Sequence, residues 1–217
     1  MEKFNYQGVY NRYIKRIIDF FAALVLLILS SPLFILISLV VVIDSGFPVL
    51  YKPLRGGFNN KPFHIYKFRT MVKDADKGDG TTALNDPRIT KSGKILRKMK
   101  LDEIPQLFNV LKGTMSFIGP RPELLRYTDQ YSDEEKLILE VRPGITDFSS
   151  IEFINLDEIV GEENPDEMYE KYVLKKKNEL RIKYAKEVSA KTDASLFINT
   201  CLQVLKKSIR VIGKNRE

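Results

Sequence analysis

Residues 20–43 read FFAALVLLILSSPLFILISLVVVI and contain no charged side chain. A helix of about 20 apolar residues is long enough to cross a bilayer, so this stretch is predicted to lie in a membrane. Ser31 and Pro32 stand in its middle, and proline lacks an amide donor and crowds the carbonyl one turn earlier. The run is too long for a signal-peptide core, and no small-residue cleavage site follows it. The stretch therefore predicts a membrane-attached protein.

Basic residues flank this apolar segment on both sides. Lys15 and Arg16 precede it, and Lys52 and Arg55 follow it. Because cytosolic flanks of membrane helices are rich in Lys and Arg, the pattern fits a segment that enters, bends and leaves on one face. A proline-kinked helix that crosses both leaflets fits the same residues, since neighbouring groups can satisfy the freed backbone.

The composition narrows the possible partners. Lys and Arg total 35 against 28 Asp and Glu, which gives a net charge of +7. A basic protein beside a membrane suggests anionic lipid headgroups or phosphorylated substrates, and nucleic acid is the usual alternative. Cys201 is the single cysteine, so an internal disulfide and a cysteine metal cluster are excluded. His64 is the single histidine, and its alternating surroundings predict a solvent-facing strand position rather than a catalytic triad.

The remaining pattern predicts a mainly α fold with a small β-hairpin. Strands are expected at 49–52 and 63–68, joined by a Gly- and Asn-rich turn. Helices are expected from Ser92 as cap to about Met99, and over 103–112, 123–139, 165–190 and 193–213, the last capped by Asp193. The chain is divided into a membrane segment, 1–45, and a cytosolic domain, 46–217, that ends in amphipathic helices.

The densest group of charges precedes an acid pair. Six cations occur with no acid among them: Arg88, Lys91, Lys94, Arg97, Lys98 and Lys100. Asp102 and Glu103 follow, and such cations would keep carboxylates ionised and attract phosphates. An ionised Asp can attack phosphorus, and two acids can hold Mg²⁺. In the structural alternative, Asp102 caps a helix while Glu103 and Pro105 occupy its first turn.

Three further arginines lie at rigid positions and are candidates for phosphate contacts. Arg69 follows a predicted strand, Arg121 lies between two prolines, and Arg142 precedes Pro-Gly. The guanidinium fork matches phosphate oxygens, although a surface charge beside a turn is an equally good interpretation of each. The sequence contains no Gly-rich phosphate loop, so a nucleotide would be held by side chains and helix ends.

The chain resembles the bacterial sugar transferase family, the small monotopic phosphoglycosyl transferases. The matching stretches are Lys15–Phe20, Ser31–Pro32, Tyr66–Met71, Asp86–Thr90, Leu101–Leu107, Gly119–Pro122 and Arg142–Thr146. They cover roughly residues 13 to 147 in the family's order. The stretch after Thr146 departs from the common pattern, which leaves the transferred sugar open.

This resemblance implies a re-entrant helix broken at Ser31–Pro32, with the catalytic domain on the cytosolic face of the bacterial inner membrane. It also implies a reaction in which a sugar phosphate passes from a UDP-sugar to undecaprenyl phosphate and UMP leaves. Asp102 and Glu103 match the family's catalytic dyad, with the aspartate as nucleophile and Mg²⁺ as cofactor held by the pair.

Other residues receive supporting roles on the same grounds. Candidates for substrate phosphate or nucleotide contacts are Lys67, Arg69, Arg88, Arg121 and Arg142. Asp19 is expected to pair with a cation at the membrane boundary, near Lys15 and Arg16. The expected partners are the UDP-sugar, undecaprenyl phosphate and membrane lipid, without nucleic acid. A non-enzymatic membrane-anchored module that binds anionic lipid or nucleic acid is the alternative.

Overall fold

The computed structural model describes residues 5–73, 75, 82–83 and 85–214, with backbone alone for 157 and 207–214. The predicted membrane segment, 1–45, and the predicted cytosolic domain, 46–217, therefore extend beyond the described residues at 1–4 and at 215–217. The described part is mainly helical with short strands, as predicted. The helices are α1 Lys15–Ser45, α2 Lys91–Lys98, α3 Gln106–Lys112, α4 Leu125–Thr128, α5 Phe148–Glu152, α6 Leu156–Val160, α7 Pro165–Tyr169, α8 Lys175–Glu187 and α9 Ala190–Lys214. The strands are β1 Leu50–Tyr51, β2 Leu54–Gly56, β3 Pro62–His64, β4 Lys67–Phe68, β5 Ser116–Ile118 and β6 Gly144–Thr146.

The predicted hairpin is confirmed, with an interruption at Pro53. Strand β1 pairs with β4 and β2 pairs with β3, both antiparallel. Both pairs share one register, because the Ile65 amide donates to the Pro53 carbonyl at 3.1 Å between them. Asn59 and Asn60 have φ of 54° and 53° at the turn, a region that Asn enters more readily than most residues.

Strands β5 and β6 form a parallel pair that the sequence analysis did not predict. Ser116 lies opposite Gly144 and Ile118 opposite Thr146. The backbones approach closely at Gly119 and Gly144, since a Cβ on Gly144 would lie 2.1 Å from the Gly119 nitrogen. This contact requires glycine and places the turn after β5 directly against β6.

Helix α1 contains Pro32 in its interior, so the predicted break at Ser31–Pro32 does not divide the helix. The Ile28 carbonyl would normally accept from residue 32, which has no amide hydrogen. The Ser31 hydroxyl donates to that carbonyl instead, at 2.8 Å. This hydrogen bond satisfies the carbonyl that Pro32 leaves without an amide donor, and α1 continues through the proline; the re-entrant bend at Ser31–Pro32 stays a prediction.

One stripe of α1 packs on the rest of the protein while the other faces are exposed and apolar. Ala23 lies in one core cluster, and Ile37 and Val41 lie in another. Exposed side chains include Ile28, Leu29, Ile35 and Leu36, each between 58% and 71% accessible. The helix from Tyr10 to Ser45 is long and apolar enough to cross a membrane, with 11% of its most apolar window buried.

Both ends of α1 are attached to the same body. At the start, Arg16 donates to the carbonyls of Val110 and Leu111 at 2.6 and 2.7 Å. At the end, Arg69 donates to the carbonyls of Ser45 and Gly46, both at 2.6 Å. The two anchored ends are therefore held by one folded domain.

The charged residues at the start of α1 contact parts of the protein that are distant in sequence. Lys15 forms its ion pair with Asp193 in the first turn of α9. Asp19 accepts from the Phe117 amide at 3.3 Å and is also near the charge of Lys15, so its expected pairing with a cation stays a prediction. Asp193 does not cap α9 as predicted, because it lies inside the first turn, and the Ser189 hydroxyl accepts from the Thr192 amide at 3.2 Å instead.

Two other element boundaries also differ. Thr90, not Ser92, caps α2, because its hydroxyl accepts from the Gly93 amide. The helix predicted over 123–139 is wrong. Helix α4 stops after one turn, and Ser132 starts a separate 3₁₀ turn, Glu135–Glu140, by bonding the Glu135 carboxylate at 2.9 Å.

Candidate active site

The acid pair lies on a short 3₁₀ turn, Leu101–Glu103, between α2 and α3. Lys100 precedes it in the left-handed region with φ of 58°. Leu101 packs against the core cluster that contains Phe68 and Leu96. The structural alternative for Asp102 is wrong, since Pro105 is the N-cap of α3 and no side chain caps that helix.

Glu103 is held by two cations. Arg121 approaches it with both terminal nitrogens, at 3.2 Å to Oε2 and 2.5 Å to Oε1, and Lys67 Nζ lies 3.5 Å from Oε1. The Glu103 side chain is only 12% exposed. Burial alone would raise the pKa of Glu103, but Arg121, Lys67 and Lys100 outweigh burial and hold it well below its usual range. Glu103 is therefore ionised and fixes two cations beside Asp102.

Asp102 differs from its neighbour because its charge is less well compensated. The residue is 7% exposed, and its buried Oδ1 has no hydrogen-bond partner in the described structure. Burial raises the pKa of Asp102; Lys67 opposes this rise and the negative charge of Glu103 adds to it. An unpaired buried carboxylate oxygen is costly, so this atom is suited to bind or attack an electrophile.

The position of Arg121 depends on the β5–β6 pair. Arg121 Nη1 also donates to the Ile145 carbonyl at 3.0 Å, and the Arg121 amide lies 3.3 Å from the Asp147 carboxylate. The rigid Gly119–Pro122 turn and strand β6 thus hold the guanidinium from two sides. A preorganised cation loses little freedom when it binds an anion.

Lys67 and Arg97 reach the site from neighbouring elements. Lys67 lies on β4, and its charge together with that of Arg97 favours ionised Asp102. Arg97, on α2, donates from Nε to the Thr70 hydroxyl at 2.8 Å. The sequence analysis counted Arg97 only within the cationic run. The position of Arg97 shortly before the acid pair was the only indication in the sequence that it acts on Asp102. The course of α2 was needed to show that its charge reaches that carboxylate.

The other candidate arginines have contacts elsewhere in the described structure. Arg69 binds the end of α1, as described above. Arg88 forms a forked pair with Asp86, with distances of 2.6 to 3.2 Å. Arg142 donates to the Gly113 carbonyl at 3.2 Å and lies over the Phe58 ring. The structure thus brings Lys67 and Arg121 to the dyad; phosphate contacts by Arg69, Arg88 and Arg142 stay predictions.

The described residues contain no cluster of three or more His, Cys, Asp or Glu arranged for a metal ion. Mg²⁺ needs fewer protein ligands, because it binds through one or two carboxylates together with substrate phosphates. The unpaired Oδ1 of Asp102 fits this requirement. Glu103 offers a second carboxylate, although both of its oxygens already contact Arg121.

A buried, cation-lined acid pair and an exposed apolar helix that is long enough to cross a membrane are together typical of a membrane-attached protein. Residues 10–207 match the family model described as bacterial sugar transferase. The match covers most of the chain, and the protein belongs to this family. The resemblance to the bacterial sugar transferase family is thereby confirmed.

Curated relatives agree with this assignment. The uncharacterized sugar transferase EpsL of Bacillus subtilis is 42% identical over 138 residues, 64% of this chain and 68% of that protein. The UDP-N-acetylgalactosamine-undecaprenyl-phosphate N-acetylgalactosaminephosphotransferase of Aeromonas hydrophila is 40% identical over 143 residues, 64% of this chain and 34% of its own.

A third relative has a different named sugar. The UDP-glucose:undecaprenyl-phosphate glucose-1-phosphate transferase of Escherichia coli is 41% identical over 145 residues, 65% of this chain and 31% of its own. The matched region thus spans about two thirds of the first relative and about one third of the other two.

Proposed function

We propose that this protein transfers a sugar 1-phosphate from a UDP-sugar to undecaprenyl phosphate and releases UMP. Relatives named as undecaprenyl-phosphate transferases of N-acetylgalactosamine phosphate, glucose 1-phosphate and galactose phosphate support the transfer of a sugar phosphate to this lipid. These relatives have similar sequence identity to this chain but are named for different sugars, so the particular sugar is not assigned. The observation that carries the proposal is the buried acid pair, in which Glu103 is neutralised by Arg121 while Asp102 keeps an unpaired oxygen.

Asp102 is the nucleophile in this proposal. Its carboxylate oxygen attacks the β-phosphorus of the UDP-sugar, forming an oxygen–phosphorus bond. The bond between that phosphorus and the bridging oxygen breaks, and UMP leaves with the electron pair. An oxygen of undecaprenyl phosphate then attacks the aspartyl-phosphosugar and regenerates the carboxylate, which gives a ping-pong cycle.

The neighbouring groups stabilise the charge that develops on the phosphoryl oxygens. Glu103 keeps Arg121 and Lys67 in place beside Asp102, so both cations are oriented before substrate arrives. Asp102 and Glu103 would hold Mg²⁺ together with the substrate phosphates. When bound, the ion would supply further neutralisation of phosphate charge.

The attachment of α1 at both ends supports a particular membrane arrangement in this proposal. A helix whose two ends contact one domain keeps that domain on a single face, which supports a re-entrant segment over a span. The exposed apolar faces of α1 would lie in one leaflet of the bacterial inner membrane. The domain from residue 46 onward would lie on the cytosolic side, where UDP-sugars and the lipid phosphate meet.

The reaction can be tested with a panel of UDP-sugars, undecaprenyl phosphate and Mg²⁺, with UMP release as the measurement. We expect turnover for wild type, loss of activity for Asp102→Asn, and a phosphosugar adduct on Asp102 by mass spectrometry. Asp133→Asn is the matched control, because the Asp133 side chain is 99% exposed. Equal turnover of Asp102→Asn would refute the nucleophile, and absence of turnover with every UDP-sugar would refute the reaction.

The topology can be tested by labelling single cysteines after Cys201→Ser. Gln7→Cys and Lys61→Cys are both exposed and flank α1. We expect both to react with a membrane-impermeant thiol reagent from the same side of sealed vesicles. Labelling from opposite sides would refute the re-entrant arrangement.

A further inference from the structure

An open groove of about 460 Å³ lies between the C-terminal end of α1 and helix α2. Its lining residues are Val40, Ile43, Asp44, Lys91, Ser92 and Ile95. Three of the six are aliphatic and come from both helices, and Ile43 and Ile95 are 85% and 61% exposed. Leu36 and Leu39, on the same helix as Val40 and Ile43, are 58% and 56% exposed, so apolar surface continues along α1 from the groove.

One end of the groove is fixed by hydrogen bonds. Asp44 accepts from the Ser92 amide at 2.9 Å and from the Ser92 hydroxyl at 2.6 Å. This contact joins the last turn of α1 to the first turn of α2. The aliphatic residues of the two helices therefore keep a defined separation.

Helix α2 leads from the groove to the acid pair. Met99, at 44% exposure, follows Ile95 by one turn, and Arg97 acts on Asp102 electrostatically. The eight residues of α2 span about 12 Å at 1.5 Å per residue. The outer face of this helix is basic as well as apolar, and its lysines are Lys91, Lys94 and Lys98. Such a face suits an anionic lipid that extends from the site to the bilayer.

We propose that this groove binds the isoprenoid chain of the polyprenyl phosphate acceptor. The phosphate is directed along α2 toward Arg97 and Asp102, and the chain leaves between Val40 and Ile95 into the leaflet. The inference rests on the proposed function and adds the location of the acceptor. The aliphatic lining does not suit a UDP-sugar, and the basic helix α2, which runs from the groove toward the acid pair, favours the reacting lipid phosphate over bulk phospholipid.

Binding can be tested independently of turnover by photocrosslinking the full-length protein in lipid nanodiscs that contain a small fixed fraction of undecaprenyl phosphate. A benzophenone amino acid replaces Ile95 in one sample and Ile35 in the control. Ile35 is 62% exposed, as Ile95 is, but is not among the groove residues. We expect polyprenyl adducts at position 95 to exceed the lipid's membrane fraction several-fold, and adducts at position 35 to follow that fraction. If the ratio of polyprenyl adducts to phospholipid adducts were equal at both positions, the groove would contact only bulk lipid, and the proposal would be overturned.

Kinetics provide a second measurement. Ile43→Ser and Ile95→Ser should each raise the KM for undecaprenyl phosphate about tenfold, because an aliphatic side chain loses its apolar contact. UMP release in a single turnover without acceptor should not change, and Ile35→Ser should behave as wild type. An unchanged acceptor KM in both groove variants would contradict the groove while leaving the reaction intact. Enrichment at position 95 without turnover of any UDP-sugar would instead contradict the proposed reaction alone.

Discussion

The Ser31 hydroxyl donates a 2.8 Å hydrogen bond to the Ile28 carbonyl, which Pro32 leaves without its usual amide partner. Ser31 is exposed on a helix whose outer faces are apolar, so in a membrane no water would replace this donor. The Ser–Pro pair therefore works as a unit: proline removes a backbone hydrogen bond and serine compensates for it.

Ser31→Ala should lower stability by about 1–3 kcal/mol, because the Ile28 carbonyl would be left unsatisfied in an apolar environment. Thermal unfolding in nanodiscs measures the change. Ser38→Ala is the control, since the Ser38 hydroxyl bonds the Phe34 carbonyl at 2.7 Å, an acceptor that already has a helical partner. A loss for Ser38→Ala as large as that for Ser31→Ala would contradict the explanation.

The activity should have an acidic limit above the ordinary aspartate range. Burial raises the pKa of Asp102, and the attacking form is the carboxylate. Activity is therefore lost as pH falls through a value higher than about 4, the ordinary pKa of Asp. The pH profile of kcat/KM for the UDP-sugar measures this limit.

Lys67→Met should move that acidic limit to higher pH. The Lys67 charge lowers the pKa of Asp102, so its removal lets the raised pKa rise further. Lys136→Met is the matched control, because the Lys136 side chain is 63% exposed and pairs with Asp133 at the surface. A limit that stays in place or moves to lower pH in Lys67→Met would refute the assignment of Asp102 as the titrating nucleophile.

The Lys15–Asp193 ion pair should couple α1 to α9. Asp193→Asn leaves the buried Lys15 ammonium unpaired, and breaking a buried pair in this way costs about 3–5 kcal/mol. Adding Lys15→Met should recover much of the loss, because it removes the unpaired ammonium, while the single amide oxygen introduced by Asp193→Asn can still accept from one of the two tyrosine hydroxyls, Tyr10 or Tyr184. Unfolding of the single and double variants gives the coupling energy. Additive losses would show that the two side chains do not interact.

Gly93→Ala should reduce activity and stability together. A Cβ on Gly93 would lie 2.1 Å from the Thr70 carbonyl oxygen, so α2 must move away from the strand that carries Lys67. Such overpacking costs about 1–3 kcal/mol. The shift would separate Arg97 from Thr70, and misplacement of about 1 Å can reduce catalysis on the order of 100-fold. Wild-type kcat/KM in a folded Gly93→Ala protein would contradict this account.

The local features of the chain were accessible from the sequence. Turn residues at 56–60 predicted the hairpin, and the structure confirms it in one register. Gly113 correctly ended α3, where it has φ of 82°. The parallel β5–β6 pair was missed because its strands have three residues each, too few for a periodic signal. The helix over 123–139 was wrong because Ser132 offers a second capping site within it.

In the candidate active site, too, some features could be predicted from the sequence and others only from the structure. The acid pair and the cationic run could be recognised from residue types and spacing. The partners of each cation could not, because Arg121 reaches Glu103 across 18 positions and Lys15 reaches Asp193 across 178. The place of Arg69 after a strand predicted a phosphate contact, which stays a prediction; only the structure shows that its Nη2 donates to the end of α1.

The sequence by itself determined that a long uncharged apolar segment must leave water, and that Asp102 and Glu103 stand beside many cations. Apolar length and local charge are properties of consecutive residues, so no folding is needed to recognise them. Only the tertiary structure decided that both ends of α1 attach to one domain and that Glu103, not Asp102, receives Arg121. Those outcomes depend on contacts between distant residues, whose geometry is fixed only when the strands and helices pack together.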